Sequence, residues 1–309
     1  MCHSFKEDLM KIVRPVEITD TVLVSSDILE NDYAEWSSAT TYNIGDKVIV
    51  TDVGIHRIYE SLTSNSNKYP PDNSKGDTPD WLDIGATNRW KMFDGKTSTY
   101  TEAQDNTLVV TLNSVSVTNS LVLFGLSGSN VNVKVVDDQE GEVYNKTISL
   151  ISPSGINNWY MYYFEPIEYV TDIALLDLPP YSTADVIVTI SGTAPKCALC
   201  ILGNQFEIGD TVWGTGVGIV DYSRKEVDPF GNFTIVQRRF SKTADYDITI
   251  STPRVASVQK ILAQYRATPI VWIGNVDFPE TIIYGYYRDF DIVLSNVSIS
   301  ECSLTVEGL

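Results

Sequence analysis

Positive charge is scarce in this chain of 309 residues. It carries 22 lysines and arginines against 40 acidic residues, a formal net charge of −18. The basic residues form no run, and a surface that tracks phosphates needs clustered cations. Binding to DNA or RNA is therefore not expected, and neither is a basic membrane patch. Histidine is nearly missing, with only His3 and His56. A Ser-His-Asp system would have to use one of them, and neither stands in a nucleophile motif. His56 lies in a turn-rich stretch and is expected at the surface. There are four cysteines, Cys2, Cys197, Cys200 and Cys302. The pair Cys197 and Cys200 has C-x-x-C spacing, but no second pair or nearby histidine completes a four-ligand zinc site. Its setting, Cys197-Ala198-Leu199-Cys200-Ile201-Leu202, reads as a strand with buried free thiols, a redox pair being the alternative. No apolar stretch reaches the length of a membrane span. Residues Met1 to Lys11 are charged and lack the apolar centre of a leader. Scarce, unpatterned cysteine suits assembly in a reducing cytoplasm.

Long helical patterns are also rare, while valine, isoleucine, threonine and tyrosine abound and suit a pleated, half-buried surface. The expected class is mainly β: a small module plus β-sandwich, jelly-roll-like domains, with one short helix in the C-terminal region. Four regions are expected: an arm at 1–32, a distinct block at 33–86, a sandwich at 87–192 and a C-terminal β domain at 193–309. Short extended runs fall on either side of Pro15. The stretch Ser61 to Asp80 is polar and should be a solvated, irregular loop. Strands are expected at Thr107 to Leu112, Leu121 to Phe124, Val131 to Val136, Val143 to Leu150, Trp159 to Phe164, Val170 to Leu176 and Val186 to Ile190. Turn signals separate them at roughly ten-residue spacing, as in a sandwich. Asp137 to Gly141 reads as a hairpin turn. Val255, Val258, Ile261, Leu262 and Tyr265 form a helical stripe over Val255 to Ala267, which should cover one sheet. The final apolar run, Leu304-Thr305-Val306, should be a strand tied into a sheet. An echo links Tyr42-Asn43-Ile44-Gly45-Asp46-Lys47-Val48 with Phe206-Glu207-Ile208-Gly209-Asp210-Thr211-Val212, and suggests a shared strand-entry turn. Gly214, Gly216 and Gly218 read as a flexible or bulged loop, because no phosphate-binding motif follows them.

The most specific pattern lies in residues 36–85. Trp36, Tyr42, Gly45-Asp46, Val48, Tyr59-Glu60, Pro70, Trp81 and Gly85 follow one another in the order W-x5-Y-x2-G-D-x-V, a strand, a variable loop, then Pro, Trp and Gly. This resembles the small chitin-binding type of carbohydrate-binding module, over about fifty residues. The resemblance implies a three-stranded minidomain that presents aromatic rings to a sugar chain. Trp36, Tyr42, Tyr59 and Trp81 are then the candidate glycan-binding rings, because a flat ring buries the apolar face of a pyranose. The same rings would also serve as the core of so small a unit.

Residues Arg89 to Thr99 contain Phe93-Asp94-Gly95 followed by Thr99, and resemble the opening of a galactose-binding-like, discoidin-type jelly roll. That likeness implies a structural Ca2+ at Asp94, Gly95 and Thr99, or else a plain turn at Asp94-Gly95. No other cofactor is expected.

Finally, Lys11 to Asp20, Thr87 to Gly95, Val220 to Lys225 and Cys302 to Leu309 resemble structural proteins of tailed bacteriophages. The resemblance implies a non-enzymatic virion component of the tail or tail tip that touches a bacterial surface glycan. Its implied partners are other virion proteins and further copies of itself, as a trimer or hexamer, without membrane insertion. The aromatic stretches 159–164 and 284–290 would suit subunit interfaces. The alternatives are a glycan-binding accessory protein with no virion role and a decoration protein of the collar or head. A tail-bound depolymerase would call for a repetitive β-helix or a clear acid pair, and the sequence offers neither.

Overall fold

The computed structural model describes residues 9–114, 116–152, 158–164 and 168–309. The chain is mainly β. It divides into two compact units, one of residues 16–202 and one of residues 1–15 with 203–309. The division falls inside the strand Leu199–Thr211.

The unit of residues 16–202 is a sandwich with a small module. One layer is a five-stranded sheet in the order Gly141–Ser149, Asn130–Asp137, Asp185–Ser191, Thr107–Leu112 and Leu23–Ser26. The strand Asn130–Asp137 alternates strictly, with Val131, Val133 and Val135 buried and Asn132 and Lys134 partly exposed. That period of two turns one face to the core. Leu108, Val110, Val186, Val188 and Ile190 lie on the same face and share one cluster with Leu121, Leu123, Ile173, Leu175, Cys200 and Leu202 from the opposing layer. The hairpin expected at Asp137 to Gly141 is present, with Asp137 opposite Gly141.

The second unit is a closed antiparallel barrel. Its strands run in the order Leu199–Thr211, Leu9–Pro15, Ile270–Ile273, Ile282–Val293, Ile299–Gly308 and Phe240–Ser251. Two residue pairs, Asp210 with Thr249 and Thr211 with Ile248, join the last strand to the first. Closure removes the free edges that an open sheet of six strands would keep. The terminal strand Ile299–Gly308 alternates cleanly, burying Cys302, Leu304 and Val306. Leu9–Pro15, in the stretch expected as an arm, buries Met10 and Ile12 in this core. The helix runs Val255–Gln264 behind a short 3-10 turn at Thr252–Arg254. It packs Val258 and Leu262 into the barrel cluster. It ends sooner than the stripe implies, and Ala267 beyond it takes φ 54°, which a continuing helix forbids.

Three local expectations are corrected. Trp159–Phe164 is a short helix, not a strand. Its β-prone side chains pair at helical spacing instead, with Trp159 against Tyr163 and Tyr160 against Phe164. Of the glycine-rich stretch, Gly216 and Gly218 lie in an edge strand, Gly216–Asp221, paired with Phe240–Ser251, while Gly214 stays in the turn before it. The echoed heptads do not share a turn. Gly45 sits at φ +89° in a turn, whereas Gly209 lies inside the strand Leu199–Thr211.

Leu108 is fully buried at the centre of the sandwich core. Leu108→Ala is expected to destabilise that unit by about 2–5 kcal/mol, since a buried leucine leaves both transfer energy and a cavity behind. Urea unfolding followed by fluorescence measures the loss.

Candidate functional site

The block at 33–86 is built on a three-stranded antiparallel sheet of Lys47–Val50, Arg57–Ser61 and Trp81–Ala86. The Gly45-Asp46 motif makes its entry turn. Gly45 takes the left-handed φ the turn requires, and the Asp46 carboxylate accepts the Asn43 N–H at 2.7 Å. Ser61 ties the turn to the sheet, accepting from Gly45 N–H and donating its own N–H to Asp46 O.

Three of the four candidate rings form the core of this module. Tyr42 is 7% exposed, Tyr59 3% and Trp81 0%. Tyr42 meets Trp81 edge to face at 5.2 Å between ring centres. Trp81 donates its indole N–H to Lys68 O at 3.0 Å, and the Tyr42 hydroxyl accepts the Ser37 N–H at 2.8 Å. Burial pushes the Tyr59 phenol above its ordinary range. None of these three rings offers a face to a ligand in this arrangement.

Trp36 differs. It is partly exposed and packs edge to face with Tyr69 at 5.3 Å. Its indole N–H has no hydrogen-bond partner among the described residues. Tyr69 is partly exposed too, and its hydroxyl donates to Asp52. Burial, together with the Asp52 carboxylate, raises the Tyr69 phenol so that it stays protonated. Tyr69 was not among the candidates read from the sequence, because it lies in the polar stretch expected to be irregular. That stretch is in fact ordered. Lys68 pairs with Asp80 at 2.6 Å, Thr63 Oγ1 donates to Asp80 at 2.6 Å, and a short helix spans Pro70–Asn73. The Lys68 ammonium and the Thr63 hydroxyl hold the Asp80 carboxyl below its usual range. The loop is polar because it closes on itself through polar contacts, and so it carries Tyr69 to Trp36. The only sequence signal would have been an aromatic just before Pro70-Pro71.

The turn at Asp94 also closes on itself. Asp94 Oδ1 accepts the Lys96 N–H and Oδ2 accepts the Thr99 hydroxyl, both at 2.9 Å. Gly95 follows at φ +73°. This set provides one carboxylate, short of the roughly six to eight oxygens that a Ca2+ takes. Among the described residues no cluster of three His, Cys, Asp or Glu is arranged to hold a metal. Asp94, Gly95 and Thr99 therefore fit the turn better than the ion.

His56 is 8% exposed, so the surface position expected for it is corrected. Its Nδ1 lies 2.8 Å from Glu30, which also accepts the Thr87 hydroxyl at 2.7 Å. Nε2 lies 3.0 Å from Asp20 without hydrogen-bond geometry, and the ring stacks obliquely on Trp90 at 4.6 Å. Two acids distant in sequence converge on it, which no local reading could show. A polar cavity of about 620 Å3 is lined by Asp27, Asp32, Glu102 and Asp105 among others. Asp32 accepts the Asn88 N–H, and Glu102 pairs with Lys196 at 2.8 Å. Burial raises the Asp27 carboxyl.

Compared with family models, curated proteins and solved structures, the chain matches none.

Cys197, Cys200 and Cys302 are free and buried. Burial raises all three thiols, Cys200 to about 12 against an ordinary 9.0. A redox or nucleophilic cysteine needs the opposite shift. Because the folded value is the higher one, the stabilisation is complete below pH 9 and is lost as pH rises towards 12. Urea titrations at pH 8 and pH 10.5 should show lower stability at the higher pH, with a smaller difference in Cys200→Ala. An unchanged difference in that variant would remove Cys200 from the effect.

Proposed function

We propose that this protein is a non-enzymatic structural component of a bacteriophage virion, in the tail or tail tip, whose module at 33–86 contacts a glycan on the bacterial surface. The observation that carries the glycan reading is the partly exposed Trp36–Tyr69 pair on a module whose other three candidate rings, Tyr42, Tyr59 and Trp81, are spent on its core. A ring with its edge fixed by a second ring is a rigid mount for the apolar face of a sugar. Tyr69 adds a hydroxyl held by Asp52. Acid and amide groups nearby suit the polar rim of a saccharide.

The structural reading is supported by two β units with separate cores and by large apolar side chains left at the surface. Trp159, Tyr160, Tyr163 and Phe164 are each 69–78% exposed on one short helix. Exposed apolar groups in that density suit contacts with other proteins. The second aromatic stretch behaves differently, since Tyr287 and Phe290 pack against the barrel core. The non-enzymatic reading is supported by the state of the candidate groups. The thiols are buried and protonated, His56 is caged by two acids, and Asp32 and Glu102 are held in fixed polar contacts.

Binding to an array of bacterial and chitin-type oligosaccharides tests the glycan reading. Trp36→Ala and Tyr69→Ala are expected to weaken binding about tenfold or more, roughly 1.4 kcal/mol, while the melting of the protein changes little. Trp81→Ala is expected to unfold the module, by about 3–5 kcal/mol. Undiminished binding in both of the first two variants would refute the ring pair. Gold-labelled antibody in electron micrographs of intact particles tests the tail location.

A further inference from the structure

The barrel strand Phe240–Ser251 continues outwards as a long two-stranded ribbon. Gly216–Asp221 pairs with residues 240–245, and beyond it Arg224–Val227 pairs with Phe233–Val236. All eight residues of the outer pair of strands are exposed. Opposed residues share a face, so Val227, Phe233 and Ile235 stand together on one side, at 60–64% exposure. Lys225 stands on the same face, its ammonium 4.8 Å from the centre of the Phe233 ring. An isolated two-stranded ribbon is marginal in water, and one that exposes an apolar and cationic face is a binding element.

The tip is a built turn. The Asp228 carboxylate accepts the N–H groups of Phe230 and Asn232 and the Asn232 side-chain amide, at 2.8–3.0 Å. Gly231 supplies the left-handed φ of +85°. These contacts present Phe230 at 89% exposure, the most exposed aromatic side chain of the described residues. A tip organised to hold an apolar ring in water is organised for a pocket.

The barrel unit has such a pocket. A cavity of about 310 Å3 is lined by Trp213, Val217, Phe278, Asn275, Glu280 and neighbouring residues. It lies at the root of the ribbon, beside Gly216. Residues 222–223 and 237–239 lie outside both strand pairs, and Phe230, exposed in water, is not among the residues that line this cavity. The ring and the cavity of one copy therefore stand apart, each open to a second copy. Charge points the same way. Residues 224–239 hold four basic and two acidic side chains, whereas the rest of 203–309 holds eleven acidic and five basic. A basic arm thus projects from an acidic body, and Glu280 stands in the cavity wall.

We propose that the ribbon is a docking arm that seats on a second copy of this chain, with Phe230 entering the cavity lined by Trp213 and Phe278. The contact is tip to root, hence heterologous, and it builds a ring if the rotation closes or a stack if it does not. This deepens the structural reading above and rests on it only in that copies of the chain meet.

Site-directed crosslinking of the full chain tests it, in a Cys2→Ser background. Copies carrying Pro229→Cys, beside the docking ring, are mixed with copies carrying Thr215→Cys at the cavity, or Lys260→Cys on the exposed side of the helix as a control. Mild oxidation is expected to link Pro229→Cys to Thr215→Cys about tenfold more than to the control. In sedimentation, Phe230→Asp and Trp213→Ala are each expected to weaken association about tenfold. Both side chains are exposed, so neither change threatens the fold. Equal linking to cavity and control overturns the docking arm. Association that both substitutions leave intact also overturns it, and leaves self-assembly through another surface standing. A chain that stays single at its highest soluble concentration, without crosslinks, overturns docking and self-assembly together.

Discussion

Closure of the barrel rests on two residue pairs, Asp210 with Thr249 and Thr211 with Ile248. The register of that joint sets which strand pairs with the remainder of Phe240–Ser251. Strand Leu199–Thr211 meets Phe240–Ser251 only at Ile248 and Thr249, so residues 240–245 are left for Gly216–Asp221. The core, however, stops near Ala244. Val217, Ile219 and Phe240 thus run past the buried cluster and stay 52–63% exposed. The ribbon is the direct consequence of two strands that continue pairing after the core has ended. Backbone pairing keeps them together where burial in the core does not.

The module at 33–86 shows the opposite constraint. It has too few residues to build a core from aliphatic side chains alone, so Tyr42, Tyr59 and Trp81 fill it together with Val48 and Val50. Large rings bury much area per residue, which is what a small unit needs. Function is constrained in turn, because a ring inside cannot stack on a sugar. Only Trp36 among the four, at the border of that core, keeps part of its surface in water, and Tyr69 flanks it. The same four-ring motif therefore divides into three structural members and one that faces outwards.

Electrostatics plays a smaller part in holding the fold. Ion pairs such as Lys47–Glu60, Arg57–Asp83 and Lys146–Asp177 join partly exposed side chains and contribute about 0–1 kcal/mol each. His56 is the exception in kind. Glu30 and Asp20 close on it from two sides while Trp90 covers its ring, so the imidazole adds a polar tie to a segment that strand pairing and the buried Ile18, Val22, Leu23 and Ile28 already hold on the sandwich. The buried thiols add apolar packing, and that burial raises them above their ordinary range.

Much of the fold was legible in the sequence. The strand Asn130–Asp137 is written in strict alternation, because one face meets the core and the other meets water, and Thr107–Leu112 and Asp185–Ser191 are written as short valine- and isoleucine-rich runs between turn signals. The helix at Val255–Gln264 is written in its stripe, for the same reason at another period. The order of the rings in 36–85 marked the module, and the Gly45-Asp46 pair marked its turn. Tertiary structure alone decided the rest. The two echoed heptads around Gly45 and Gly209 became a turn and a strand, since long-range pairing overrides shared local letters. Trp159–Phe164 became a helix despite its β-prone side chains, and His56 went inside because distant acids met there. Which ring of the module faces water, and where a ribbon outruns its core, depend on contacts between residues far apart in the chain. Local pattern records which faces are apolar; only the assembled fold determines which of those faces find a partner.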